Sequence, residues 1–381
     1  MQLTHANLMA ECRGCVARLP TTPGGRTVSY LPSAHIADRW SGHYQSSLCL
    51  GFEITSIADL AQLPAVLADV RPTTFGAVPR VWEKMKAALE AAGLTDPAAV
   101  PEEIRAGARA KLGLDASEWF CAGAAPTTRD VLEFFAALGV PIAELYGMSE
   151  LSCCATINPP DAIRLGTCGP PIEGVELRLE DDGELLVRGP TVMAGYRGAP
   201  ELTAETIDDD GWLHTGDVAR IDDDGYLTII DRKKELIINA AGKNMSPANI
   251  ESVLKAASPI IGQAVAIGDR RPYNVALVVL DPDAAGAFAR ERGVQDTSVA
   301  ALAREPVIRE AVAHAVAAAN THLARVEQIK RCAILDREWV AGGPELTPTM
   351  KLQRRVVNAR YGEIIDGLYA ASPGADVVVP A

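Results

Sequence analysis

Ser149 and Glu150 stand side by side at the end of ELYGMSE, residues 144–150, where a strand pattern closes on Tyr146 and Gly147. A hydroxyl next to a carboxylate can hold a phosphate oxygen and a hydrated Mg²⁺ respectively. The segment half-matches the G-x-S-x-G turn of a serine nucleophile, but Leu151 occupies the place of the second Gly, so a serine hydrolase fits poorly. Upstream, CAGAAPTTRD (121–130) ends a strand pattern in Gly123, Ala124 and Ala125 and opens a helix with Pro126. Small residues there let a flat ligand approach the backbone, although a close-packed strand-to-helix turn reads the same way. In GWLHTGDVARI (211–221), Asp217 is expected in a turn between two strands, suited to two ribose hydroxyls or simply to solvent. DRKKELIINAAGKNMSPANIE (231–251) opens with a charge run, ordinarily a solvated linker, and continues through an apolar strand, the Gly242-Lys243 turn and a helix start at Ser246-Pro247. Finally, GGPELTPTMKLQRR (342–355) presents Lys351 on a Gly- and Pro-rich loop, either as a surface charge or as a mobile cation for a transferring phosphoryl oxygen.

The elements that must position these residues follow from periodicity. Helical stretches are expected at about Ala6–Arg18, over IADLAQLPAVLADV, VWEKMKAALEAAG and PEEIRAGARAKLG, and at TRDVLEFFAALG. Strands are expected at TTFGAV, EWFCAG and VPIAELYG, an alternation that marks a layered sheet with crossover helices. After about Gly166, short strands separated by DDG turns suggest a small β unit, and from Lys234 onward a separate compact α+β domain. Lys and Arg total 36 against 49 Asp and Glu, a formal charge of −13, which argues against a general grip on nucleic acid or anionic membrane. No apolar run reaches the length of a membrane helix, and MQLTHANLMAECRG lacks the pattern of a signal peptide, so a cytoplasmic location is expected. The eight cysteines are scattered and read as reduced; Cys12 and Cys15 read as packing in an early helix rather than as a metal site.

In order and content the segments together resemble the AMP-forming acyl-CoA synthetases of the adenylate-forming superfamily. The matching residues are Gly123-Ala124-Ala125-Pro126, the run Tyr146-Gly147-Met148-Ser149-Glu150, Thr215-Gly216-Asp217, Asp231-Arg232-Lys233-Lys234 with Gly242-Lys243, and Lys351. RPTTFGAVPRVWEKMK (71–86) is similar to the version in long-chain and very-long-chain fatty acid members, and the likeness runs from Leu3 to about Arg360. It implies an α/β plus α+β fold: the second half of a large sheet-and-helix domain over 1–165, a small β subdomain over 166–233, a mobile C-terminal domain over 234–365 and a loose tail over 366–381. It also implies a two-step reaction, in which a fatty carboxylate attacks Mg-ATP to give an acyl-adenylate and coenzyme A thiol then displaces AMP. In this scheme Lys351, Ser149 and Glu150 with Mg²⁺ meet the phosphate charge. Asp217 and Arg232 hold ribose; Tyr146, Gly147 and Gly123–Pro126 flank adenine. Lys234 is the hinge, Gly242-Lys243 faces the thiol, and His35 lies on the acyl side. Fatty substrates would bring the protein to membrane surfaces peripherally.

The family carries a Ser/Thr/Gly-rich phosphate loop ahead of the segment LTHANL, and Met1 and Gln2 stand where that loop would just have ended. Three explanations follow, a start codon misassigned within a longer reading frame, a split gene whose upstream product supplies the other half, or a decayed fragment, and a lone half is expected to expose a broad apolar face unless something covers it. The alternative function is a non-catalytic fragment that binds AMP or acyl-adenylate. A nicotinamide-dependent oxidoreductase lacks its G-x-G-x-x-G turn here.

Overall fold

The computed structural model describes residues 1–238, 243–347, 350–372, 374 and 376–381. The chain divides into two compact units, Met1–Ile230 and Asp231–Ala381.

Unit 1 opens with α1 (His5–Arg18), started by a reciprocal cap in which the Thr4 hydroxyl accepts from the Asn7 N–H and the Asn7 side chain accepts from that of Thr4. A parallel pair, β1 (Arg26–Ser29) and β2 (Glu53–Ser56), follows. Between these strands a short helix at Ile36–Asp38 runs into an eleven-residue π-helix, Arg39–Cys49, a feature that periodicity did not foresee. The central sheet is β3 (Thr74–Ala77), β4 (Trp119–Ala122) and β5 (Ile142–Tyr146), all parallel, with β6 (Thr156–Ile157) antiparallel at its edge. The crossovers are α2 (Pro79–Ala91) with α3 (Glu102–Leu112), and then α4 (Arg129–Leu138).

Alternation along these strands feeds two cores. Phe75, Phe120 and Ile142 pack with Leu67, Leu132 and Phe135 around Trp82, which is fully buried and meets the Phe75 and Phe135 rings edge-on. Trp119, Cys121 and Ala143 face the other way, onto Cys12, Cys15 and Leu19 and onto a second sheet. That sheet is antiparallel at its measured pairs and runs β10-β9-β8-β7, from β7 (Glu176–Leu179), β8 (Glu184–Arg188), β9 (Leu213–Ile221) and β10 (Leu227–Arg232). Both faces of the central sheet are thus covered by this chain's own elements.

In unit 2, β11 (Ile237–Ile238) and β12 (Asn244–Met245) form a small ladder, followed by α5 (Pro247–Ala256) and the strands β13 (Ile261–Ile267) and β14 (Asn274–Leu280). α6 (Pro306–Thr321), β15 (Ile329–Ile334), α7 (Arg354–Arg360), α8 (Gly362–Leu368) and β16 (Val377–Val378) complete it. β14 is buried throughout: Ala276, Val278 and Leu280 meet α5 and α6, while Val275, Leu277 and Val279 meet α7 and α8. The last segment is not the loose tail expected over 366–381. Val377 and Val378 pair with Ala333 and Cys332, and Arg309 donates to the carbonyls of Asp376 and Val377. No helix among the described residues is long and apolar enough to cross a membrane.

Glu11, on the buried face of α1, is fully enclosed; it accepts from the Cys15 and Cys12 thiols at 3.5 and 3.7 Å. Burial first, then the neighbouring Cys154, hold its carboxyl well above the ordinary range. The folded chain therefore keeps a proton that the unfolded chain gives up, and this contribution to stability declines as pH rises above the usual carboxylate range. Glu11→Gln removes that decline, so its gain in urea midpoint over the parent should be larger at pH 8 than at pH 5. An equal difference at the two pH values would refute the assignment.

Candidate functional site

Strands β4 and β5 bring the Gly123 turn and the Tyr146 segment together, because neighbouring parallel strands end on the same edge. Gly123 packs so closely on β5 that a Cβ would stand 2.8 Å from Leu145 Cδ1. Ala124 takes φ +70°, and Ala124, Ala125 and Pro126 are exposed at the turn. Beneath them lies Glu144, a residue whose role sequence reasoning missed. Its two carboxylate oxygens accept from the Thr127 and Gly166 N–H groups at 3.2 Å each, and its carbonyl accepts from the Asn158 N–H at 3.1 Å. Glu144 is buried, and burial pushes its carboxyl up against the opposing pull of those two N–H donors. Its place two residues before Tyr146, inward on the strand, was the available clue.

The Tyr146 hydroxyl donates to Asp217 Oδ2 at 2.6 Å, joining the central sheet to the second sheet. Asp217 was expected in a turn; it lies inside β9 and is buried. The correction has a local cause. Gly216 takes φ +72°, the pairing of β8 with β9 slips between Glu184 and Leu186, and the Gly216 N–H is received by Glu184 at 3.0 Å. The strand continues through this irregularity and turns Asp217 toward Tyr146.

Gly147 has no substitute: a Cβ there would sit 1.8 Å from the Cys153 carbonyl oxygen. After it, Ser149 begins a single 3₁₀ turn and Glu150 Oε1 accepts from the Tyr196 hydroxyl at 3.0 Å, both half-buried. Gln2 exchanges backbone hydrogen bonds with Ala194 and Gly195, and Met193 N–H reaches the Glu150 carbonyl, so the first residues of the chain brace this loop. A Mg²⁺ that travels with a triphosphate needs only one or two protein carboxylates, which Glu150 fits; no group of three ligating side chains occurs among the described residues. His35 Nδ1 accepts the Ala37 N–H as the cap of the turn at Ile36–Asp38.

The remaining candidates lie in unit 2. Arg232, the last residue of β10, and Lys234, in the turn that follows it, are exposed, and the turn closes where the Glu235 and Leu236 N–H groups donate to the Arg232 carbonyl. The preceding Asp231 is buried and accepts from Ser246 Oγ at 2.5 Å and Ala248 N–H at 3.1 Å, capping α5. Lys243 is exposed at the start of the β11–β12 ladder's second strand; Gly242 lies outside the described residues. Lys351 is exposed on a turn fastened at its base. Thr347 N–H donates to the Lys351 carbonyl at 2.8 Å, Lys351 N–H returns to Thr347 Oγ1 at 3.0 Å, and Met350 takes φ +62°. Just before it, buried Glu345 accepts from the Tyr361 hydroxyl at 2.9 Å and pairs with Arg360 at 3.1 Å.

Comparison with known proteins places this arrangement. Residues 1–197 match the AMP-binding enzyme family and residues 234–373 the AMP-binding enzyme C-terminal domain. A Mycobacterium tuberculosis H37Rv protein named, provisionally, fatty-acid–CoA ligase FadD11 is 48% identical over 100% of this chain and 73% of its own length. Long-chain-fatty-acid–CoA ligase FadD15 of the same strain is 35% identical, covering 97% of this chain and 66% of its own. Among solved structures, ATP-bound MatB from Rhodopseudomonas palustris superposes with a TM-score of 0.68 at 25% identity, over 95% of this chain and 65% of that one. The adenylation and carrier didomain of a Segniliparus rugosus carboxylic acid reductase, with AMP, gives 0.71 at 24% identity over 96% of this chain and 51% of that one.

Tyr146→Phe leaves a buried carboxylate with one donor fewer. Thermal or urea denaturation should show a loss of about 1–3 kcal/mol, and an unchanged midpoint would mean that the hydrogen bond contributes nothing net.

Proposed function

We propose, for a chain that belongs to the adenylate-forming acyl-CoA synthetases of the AMP-binding enzyme family, that it joins a long-chain fatty carboxylate to coenzyme A through an acyl-adenylate. The observation that carries this reading is the Tyr146–Asp217 hydrogen bond next to the close-packed Gly123 turn. It supports a site with an aromatic face and exposed backbone for adenine and a buried, oriented carboxylate for ribose hydroxyls. The fatty acid class rests on the names of the ligase relatives and on the segment 71–86.

In the first half-reaction a carboxylate oxygen attacks the α-phosphorus, the bond to the leaving pyrophosphate breaks, and negative charge builds on the phosphate oxygens. Lys351 meets that charge and Ser149 donates to a phosphate oxygen. Glu150 holds the Mg²⁺ that arrives with ATP and neutralises the triphosphate. Arg232 assists Asp217 at the ribose. In the second half-reaction the thiol of coenzyme A attacks the acyl carbon and AMP leaves; Lys234 is the pivot between the two steps, and the Gly242-Lys243 segment serves the thiol side. A separately encoded N-terminal half that supplies the family's phosphate loop is the proposed partner.

Fatty-acid-dependent pyrophosphate release with Mg-ATP tests this reading. Lys351→Ala should lower it by roughly 10²–10³-fold. If the 381 residues alone are silent and an upstream extension or N-terminal fragment restores release, the residues belong to a shared site; silence in every combination favours the binding-fragment alternative. Lys234→Pro should spare adenylate formation more than thioester formation, and equal loss of both rates would count against the pivot.

A further inference from the structure

Three residues beyond Lys351, at the start of α7, the Arg354 side chain turns inward and is mostly buried. Its two terminal nitrogens grip Glu251 of α5 at 2.7 and 3.0 Å, a forked pair that a lysine cannot reproduce. One of them also donates to the Ala266 carbonyl of β13 at 3.3 Å. Glu251 is buried too, and its Oε1 accepts the Ala266 N–H at 2.8 Å, so strand, helix and guanidinium form one closed unit. The remaining nitrogen, Nε, is buried without a hydrogen-bond partner and faces Glu235 at 3.6 Å. Glu235 is the residue directly after Lys234, held by its N–H on the Arg232 carbonyl.

One guanidinium, carried three residues beyond Lys351, therefore ties the start of α7 to α5, to β13 and to the segment that follows Lys234. The Lys351 turn is fastened on its other flank by Glu345 with Tyr361 and Arg360, and Gln353 N–H donates to the Glu345 carbonyl. We propose that Arg354 is a positioning residue: it fixes the Lys351 turn to the α5–β13 frame and to the first residue after the Lys234 pivot, so that Lys351 moves as one body with the pivot's C-terminal side. This rests on the reading of Lys351 as the cation of the adenylation step. A buried pair kept only for stability would fasten α7 to α5 without affecting how well the lysine is placed.

The two possibilities separate in a double-mutant cycle on the full chain, with upstream sequence added if pyrophosphate release requires it. Arg354→Lys should lower turnover of the adenylation step by about 10- to 100-fold, the range that misplacing one group by about an ångström produces, with KM for ATP little changed. In a Lys351→Ala background the same change should cost nothing further. An equal additional loss there would overturn the proposal, because the arginine would then act without the lysine. Glu235→Gln, which leaves the Glu251 fork intact, should give a smaller loss that also vanishes in the Lys351→Ala background; a loss that persists there counts against the proposal, as does no loss at all.

A second readout does not need activity. Acetylation of Lys351 by N-hydroxysuccinimidyl acetate, followed by mass spectrometry and normalised to Lys111 on α3, should change in rate in Arg354→Lys. If the parent and Lys351→Ala release pyrophosphate equally, the adenylation reading has failed and this rate alone decides the positioning role. An unaltered Lys351 labelling rate overturns it.

Discussion

Glu144 is a carboxylate set into the central sheet of unit 1, where no cation is among its hydrogen-bond partners and backbone N–H groups take that part. Placing such a group inside a fold is unfavourable unless its oxygens are received, and two otherwise irregular stretches are drawn in to receive them. The turn after β4 and the loop at Gly166 are held by the side chain, while Asn158 is held by the carbonyl of the same residue. The position of the Gly123–Pro126 turn, and of Tyr146 two residues on, follows from this arrangement. The placing of this turn is therefore tied to satisfying one buried carboxyl group.

Unit 2 solves a similar problem differently. Two of its buried carboxylates, Glu251 and Glu345, take guanidinium and phenol partners, Glu251 from 103 positions away. Arg354 and Glu345, one member of each pair, lie on either side of the exposed Lys351 in sequence. The Lys351 backbone is tied to Thr347, a pairing that the Gly- and Pro-rich sequence of the loop did not announce.

Much of this was legible because strand and helix periods are local. The strand pattern in VPIAELYG is β5, and its first three residues are buried on both faces because elements pack on either side of the central sheet. The motif residues Gly123, Tyr146, Gly147, Ser149 and Glu150 announced themselves through composition at strand ends. What spacing does not encode is which distant side chain completes a pair. Arg354 and Glu251 lie 103 positions apart and Tyr146 and Asp217 lie 71 apart, and nothing near either residue names its partner. Asp217 was misjudged because a glycine in a strand reads as a turn when the sheet around it is unknown. The π-helix at Arg39–Cys49 escaped because its i to i+5 bonding matches neither period.

The pairing of Val377–Val378 with β15 has a consequence for the order in which the protein is made. Unit 1 contains every strand of its central sheet by residue 157, so that sheet can assemble while later residues are still being synthesised. In unit 2, β15 lacks one neighbour and Arg309 lacks two of its carbonyl acceptors until residues 376–378 have left the ribosome. During that interval unit 2 carries an open strand edge, a surface that invites pairing with another nascent chain. Residues 377–378 thus serve as a closing strip for that edge of the sheet.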